Sequence, residues 1–127
     1  MRTGHTLHQS ALEMAHVHGV RRLVSEHQFF VGELSPRITV RLYESQERDR
    51  IEYEQSHFIR TPLQADAYQT STPWGDDALY ALNLAAFGIT QWYDQAVREG
   101  HQPNDSWLVP NPRFHNFIER SSFSARS

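Results

Sequence analysis

The chain has no cysteine and no lysine among its 127 residues. The first absence excludes a disulfide framework, a thiolate metal site and a cysteine nucleophile. The second leaves arginine as the only strong cation, twelve in all. Planar bidentate donors suit anion recognition, although the composition bias of a GC-rich source accounts for them more simply. No stretch reaches the roughly 18 consecutive apolar residues of a membrane span. The opening MRTGHTLHQS lacks the apolar core of a secretory signal, so a cytoplasmic protein is expected, without a membrane partner. Net charge is −3 with both signs interspersed. A nucleic-acid binder usually carries a basic stripe, and none is present. Glycine is sparse and isolated, which removes the phosphate-cradling loops, and neither G-x-S-x-G nor HExxH occurs.

What is present reads as a single α+β domain over residues 1–127. The clearest element is Asp76–Gly100, a long amphipathic helix with Leu79, Leu82, Ala86, Ile89, Tyr93 and Ala96 along one face. Thr72-Pro73 or Asp76 would start it, and Gly100 would end it. Arg37–Glu44 (RITVRLYE) and Arg50–Ile59 (RIEYEQSHFI) alternate in period two and predict an antiparallel hairpin. Ile38, Val40, Leu42, Ile51 and Tyr53 would face inward. The arginines of the first strand would meet Glu52 and Glu54 on a solvated face. Residues 1–27 read as an arm or a short helix opening at Ser10, with a strand near Met14–Val20 as the rival. Residues 119–127 read as a frayed tail. The architecture expected is an antiparallel meander of three to four strands with the long helix packed on one face. Tyr80, Leu84 and Phe87 make a second apolar row on that helix. One sheet contact cannot bury both rows, and a homodimer is the expected remedy.

The residues Ser56-His57, Thr61-Pro62, Tyr68, the helix end at Tyr93 and Ala96-Val97, Gly100-His101, and Trp107-Leu108-Val109-Pro110-Asn111 carry a resemblance. The segment containing them resembles one in small uncharacterised bacterial proteins of the mobile gene-cassette type, the kind carried by integrons. It covers less than half of the chain. It implies a soluble accessory protein and carries over no catalytic residue.

Eight histidines invite a metal reading. A zinc site needs three or four ligands, and no spacing beyond His16 and His18 supplies them, so neither a metal nor a cofactor is expected. Serine chemistry finds no support, because Ser56 and His57 as strand neighbours would point to opposite faces. The stronger lead is aromatic. Phe58, Tyr68, Trp74, Trp92, Tyr93 and Trp107 fall in or beside the long loop, the helix and the C-terminal strap. The residues expected to line a binding pocket or groove are His57, Arg60, Tyr68, Trp74, Tyr93, His101 and Trp107. Arg60 would be the anion-reading handle. The function expected is therefore a non-enzymatic binding module for a small molecule or a protein partner, with no catalytic residue. Two alternatives remain open: a small cofactor-free hydrolase or isomerase with His57 or His101 as general base, and an immunity-like inhibitor.

Overall fold

A computed structural model describes Met14 and residues 16–115. Strands β1 (Arg21–Phe29), β2 (Ile38–Ser45), β3 (Ile51–Gln55) and β5 (Trp74–Gly75) form an antiparallel sheet in the order β1-β2-β3-β5. Strands β4 (His57–Ile59) and β6 (Leu108–Pro110) make a separate two-stranded sheet. Helix α1 (Ala78–Arg98) packs on the larger sheet, so the class is α+β with one long helix on an antiparallel sheet.

The hairpin forms where period-two alternation predicts it. Ile38, Val40 and Leu42 are fully buried, and Tyr53 joins them from β3. Ile59 of β4 and Leu108 of β6 belong to the same core, which is therefore continuous across both sheets. The second predicted strand is divided. Its chain leaves the larger sheet at Ser56 and enters the smaller one as β4.

The N-terminal reading is corrected in part. Residues 21–27, placed in an arm or helix, belong to β1, and residues 16–20 form no strand. This edge strand, RRLVSEHQF, is uniformly exposed up to a bulge between Leu23 and Ser25 and alternates only beyond it. There Ser25, His27 and Phe29 are half-buried, so just one of the three inward positions carries an apolar residue. The helix proposed from Ser10 and the tail 119–127 lie outside the described residues.

The sheet face away from the helix is less solvated than expected. Arg41 is only 4% exposed. Its Nε donates to Glu26 at 2.8 Å, and its guanidinium lies 4.2 Å from the Phe114 ring centre. The cation reaching Glu54 and Glu52 is Arg21 of β1, at 2.5 and 3.6 Å and passing over the Tyr43 ring, rather than an arginine expected from Arg37–Glu44. Arg50 also pairs with Glu52 at 3.1 Å.

Helix α1 starts later than either expected cap, its N-cap falling one residue after Asp76 and five after Thr72. Asp77 is the N-cap, and its carboxylate accepts from the Tyr80 N–H at 2.8 Å. At the other end Gly100 adopts φ +91°, its N–H donates to the Val97 carbonyl, and the His101 N–H donates to that of Ala96. This doubly bonded C-terminal turn needs the left-handed conformation that glycine adopts freely. The buried stripe is Ala81, Ala85, Ile89 and Ala96. Of the expected row, therefore, Ile89 and Ala96 are buried, Leu82, Ala86 and Tyr93 are half-buried, and Leu79 is exposed. Small side chains let the helix approach the sheet closely, and this rotates the larger ones outward. Leu79, Tyr80 and Phe87 are consequently 69%, 54% and 60% exposed.

Candidate binding cleft

A cleft of about 450 Å³ lies where β3 loses its outer neighbour. β5 pairs only with Ile51 and Glu52, so the edge of β3 is uncovered by strand from Tyr53 to Gln55. On the helix side the wall is Ala85 and Gly88, whose small size leaves room. The long loop supplies Tyr68, Gln69, Thr70 and Pro73, β4 supplies Phe58, and the C-terminal strap supplies Asn111, Pro112, Arg113 and Phe114.

Backbone bonding fixes these segments. The Tyr68 N–H donates to the Ile59 carbonyl at 2.9 Å, anchoring the loop on β4. Asn111 stitches the strap to the β3 edge: its Nδ2 donates to the Gln55 carbonyl at 2.9 Å and its N–H to the Ser56 carbonyl at 2.8 Å. The Asn111 side-chain oxygen accepts from the Arg113 N–H at 3.0 Å, an Asx-type turn that presents Arg113 and Phe114.

The Tyr53 hydroxyl makes no hydrogen bond to a described residue. Burial, with the Tyr68 phenol nearby, pushes its pKa up to about 12, so it stays protonated and able to donate. Glu54 also lines the cleft, but its charge is matched by Arg21.

Of the seven residues expected at a site, only Tyr68 lines this cleft; Phe58 joins it from the wider aromatic set. Trp74 lies on β5 beneath Arg50, whose guanidinium is 3.4 Å from the ring centre. Tyr93 and Trp107 meet edge to face at 5.9 Å, and the Tyr93 hydroxyl accepts from the Glu33 N–H, so this pair is core packing. Arg60 is exposed, and its N–H donates to the Trp107 carbonyl. His101 is half-buried beyond the helix end.

His57 lies outside the cleft, yet it contradicts the expectation that Ser56 and His57 face apart. The chain bends at Ser56, and the Ser56 Oγ lies 2.8 Å from the His57 Nδ1. The same Oγ accepts the Thr39 N–H at 2.8 Å, which leaves it able either to donate to Nδ1 or to accept from it. Burial lowers the His57 pKa from its ordinary value. Neither His57 nor His101 is hydrogen-bonded to a carboxylate among the described residues.

Sequence reasoning placed Tyr53 in the core, where its ring indeed lies, but missed Glu54, Gln55, Gln69, Thr70, Asn111, Arg113 and Phe114. Only the N-P-R-F run after the strap hinted at an Asx-type turn. Among the described residues no group of three or more His, Asp or Glu side chains is placed to hold a metal ion, and no helix is long and apolar enough to cross a membrane. No family model, curated protein or solved structure matches the chain.

Proposed function

We propose that this protein is a non-enzymatic binding module that holds a small molecule in the cleft between α1 and the uncovered edge of β3. The observation carrying this reading is a concavity of about 450 Å³ walled by Tyr53, Phe58, Tyr68 and Phe114 with a few polar groups among them. That size and lining fall in the ordinary range of ligand sites, roughly 300–1,000 Å³. The position of His57 and His101 outside the cleft favours binding over acid–base catalysis. The exposed row Leu79, Tyr80 and Phe87 supports a homodimer within the same reading. A Phe87→Glu chain that sediments at the same mass as the native one would remove that part.

The test is an amide-resolved NMR screen of a fragment library against the native chain and Gly88→Leu. A leucine there would fill the cleft from the helix side, because a β-carbon already meets the Tyr68 ring at 3.3 Å. Hits that perturb Gln55, Gln69, Asn111 and Arg113 in the native chain, and vanish in folded Gly88→Leu, support the reading. A library that leaves those amides unmoved defeats it.

A further inference from the structure

The polar groups of the cleft differ in whether the protein already uses them, and that difference narrows the ligand. The Asn111 Nδ2 is held by the Gln55 carbonyl, the Gln55 Nε2 by the His57 carbonyl at 2.7 Å, and the Thr70 hydroxyl by Thr72 at 3.2 Å. Glu54, the single carboxylate among the described residues that line the cleft, is bonded to Arg21. Arg41, stacked on the Phe114 wall, is paired with Glu26. Two groups remain. The Arg113 guanidinium forms no ion pair with a described residue, while its backbone is fixed by Asn111. The Tyr53 hydroxyl, likewise without a described partner, is a neutral donor at physiological pH. Among the described residues the cleft therefore offers donors and one unmatched positive charge between aromatic walls, with its carboxylate neutralised.

We infer that the ligand is a small aromatic carboxylate, its ring held among Phe58, Tyr68 and Phe114 and its carboxylate by Arg113 and the Tyr53 hydroxyl. This rests on the cleft being a binding site. Guanidinium–carboxylate pairing is charge-assisted and geometrically specific, which a neutral isostere cannot reproduce.

The experiment compares phenylacetate, phenylacetamide and phenethylamine, one skeleton carrying negative, no and positive charge, by NMR titration of the native chain, Arg113→Gln and Tyr53→Phe. Arg113 is exposed, so its variant keeps the fold. Phenylacetate is expected to shift the cleft amides and to bind about tenfold or more tightly than the amide, the advantage of a charged hydrogen bond. Arg113→Gln should reduce that ratio towards one, and Tyr53→Phe should lower it in part. An amide or amine that binds as well as the acid overturns the inference and leaves the binding cleft standing. So does a phenylacetate affinity unchanged in Arg113→Gln. Silence from all three probes, while library fragments still occupy the cleft, overturns the carboxylate assignment alone; silence from the library as well overturns both.

Discussion

The two ends of the helix–sheet sandwich use the same ingredients, a glycine facing a tyrosine ring, to opposite effect. At the closed end Gly32 adopts φ +51°, and the Tyr93 ring lies so near that any β-carbon would overlap it. Tyr93 is then pinned from three sides, by Trp107, by the Glu33 N–H and by the loop itself. The Asp105 carboxylate closes the corner by accepting the Ser35 N–H at 2.8 Å. At the open end a β-carbon on Gly88 would meet the Tyr68 ring at 3.3 Å, close but without the overlap seen at Gly32. Ala85 stands nearby, and the space is left unfilled. An aromatic near a glycine thus marks either a sealed core or a hollow, depending on how many segments converge on it.

That contrast is broken most sharply by deleting one aromatic at each end. Trp107→Ala, which empties a nearly fully buried site, should cost about 4 kcal/mol in denaturant melts. Tyr68→Ala, at a ring already partly in solvent, should cost only about 1 kcal/mol. Equal losses would mean that the open end is packed as core. The glycines come next. Gly32→Ala combines a left-handed backbone with a steric overlap and should destabilise by about 3 kcal/mol. Gly88→Ala asks the Tyr68 ring to shift by a few tenths of an ångström while gaining helix propensity worth up to roughly 1 kcal/mol, so it should melt no lower than the native chain.

The smallest effect falls at Ser56, where the chain passes from one sheet to the other. The folded-state pKa of His57 is lowered, so the unfolded chain binds the extra proton first. The stability contributed by neutral His57 is complete above the unfolded value of about 6.5 and is lost as pH falls from there towards the folded value. Melting temperature should decline between about pH 7.5 and 5.5, and less so in His57→Gln; an equal decline in both would show that the imidazole is not responsible.

Much of this architecture was legible as pattern. The hairpin was readable because Ile38, Val40 and Leu42 bury one face with clean alternation, and the helix because its apolar residues recur at helical spacing. Which stripe faced inward was not, since periodicity ranks Leu79 above Ala81 while close packing ranks them the other way. β1 was hidden because its first half is exposed and the inward positions after its bulge include the polar Ser25 and His27. In the cleft, aromatic content exposed Tyr68 and Phe58 but also drew in Trp74, Tyr93 and Trp107, which pack elsewhere. Arg113 and Asn111 were invisible because their placement depends on β6 pairing with β4, a long-range contact that no local pattern encodes.

That pairing also sets an order of events. The Asn111–Gln55 stitch joins positions 56 apart in sequence, whereas the β2–β3 hairpin closes across a short turn. Loop-closure entropy delays the distant contact until the hairpin and helix exist to receive it. Loop closure thus makes the strap that walls the cleft a late-folding segment. Its detachment requires the short β4–β6 ladder and the bonds of Asn111 to open and Leu108 to leave the core. Amide hydrogens of Val109 and Asn111 should exchange well ahead of those in β2, giving the cleft a route for entry and exit through subglobal unfolding of its own wall.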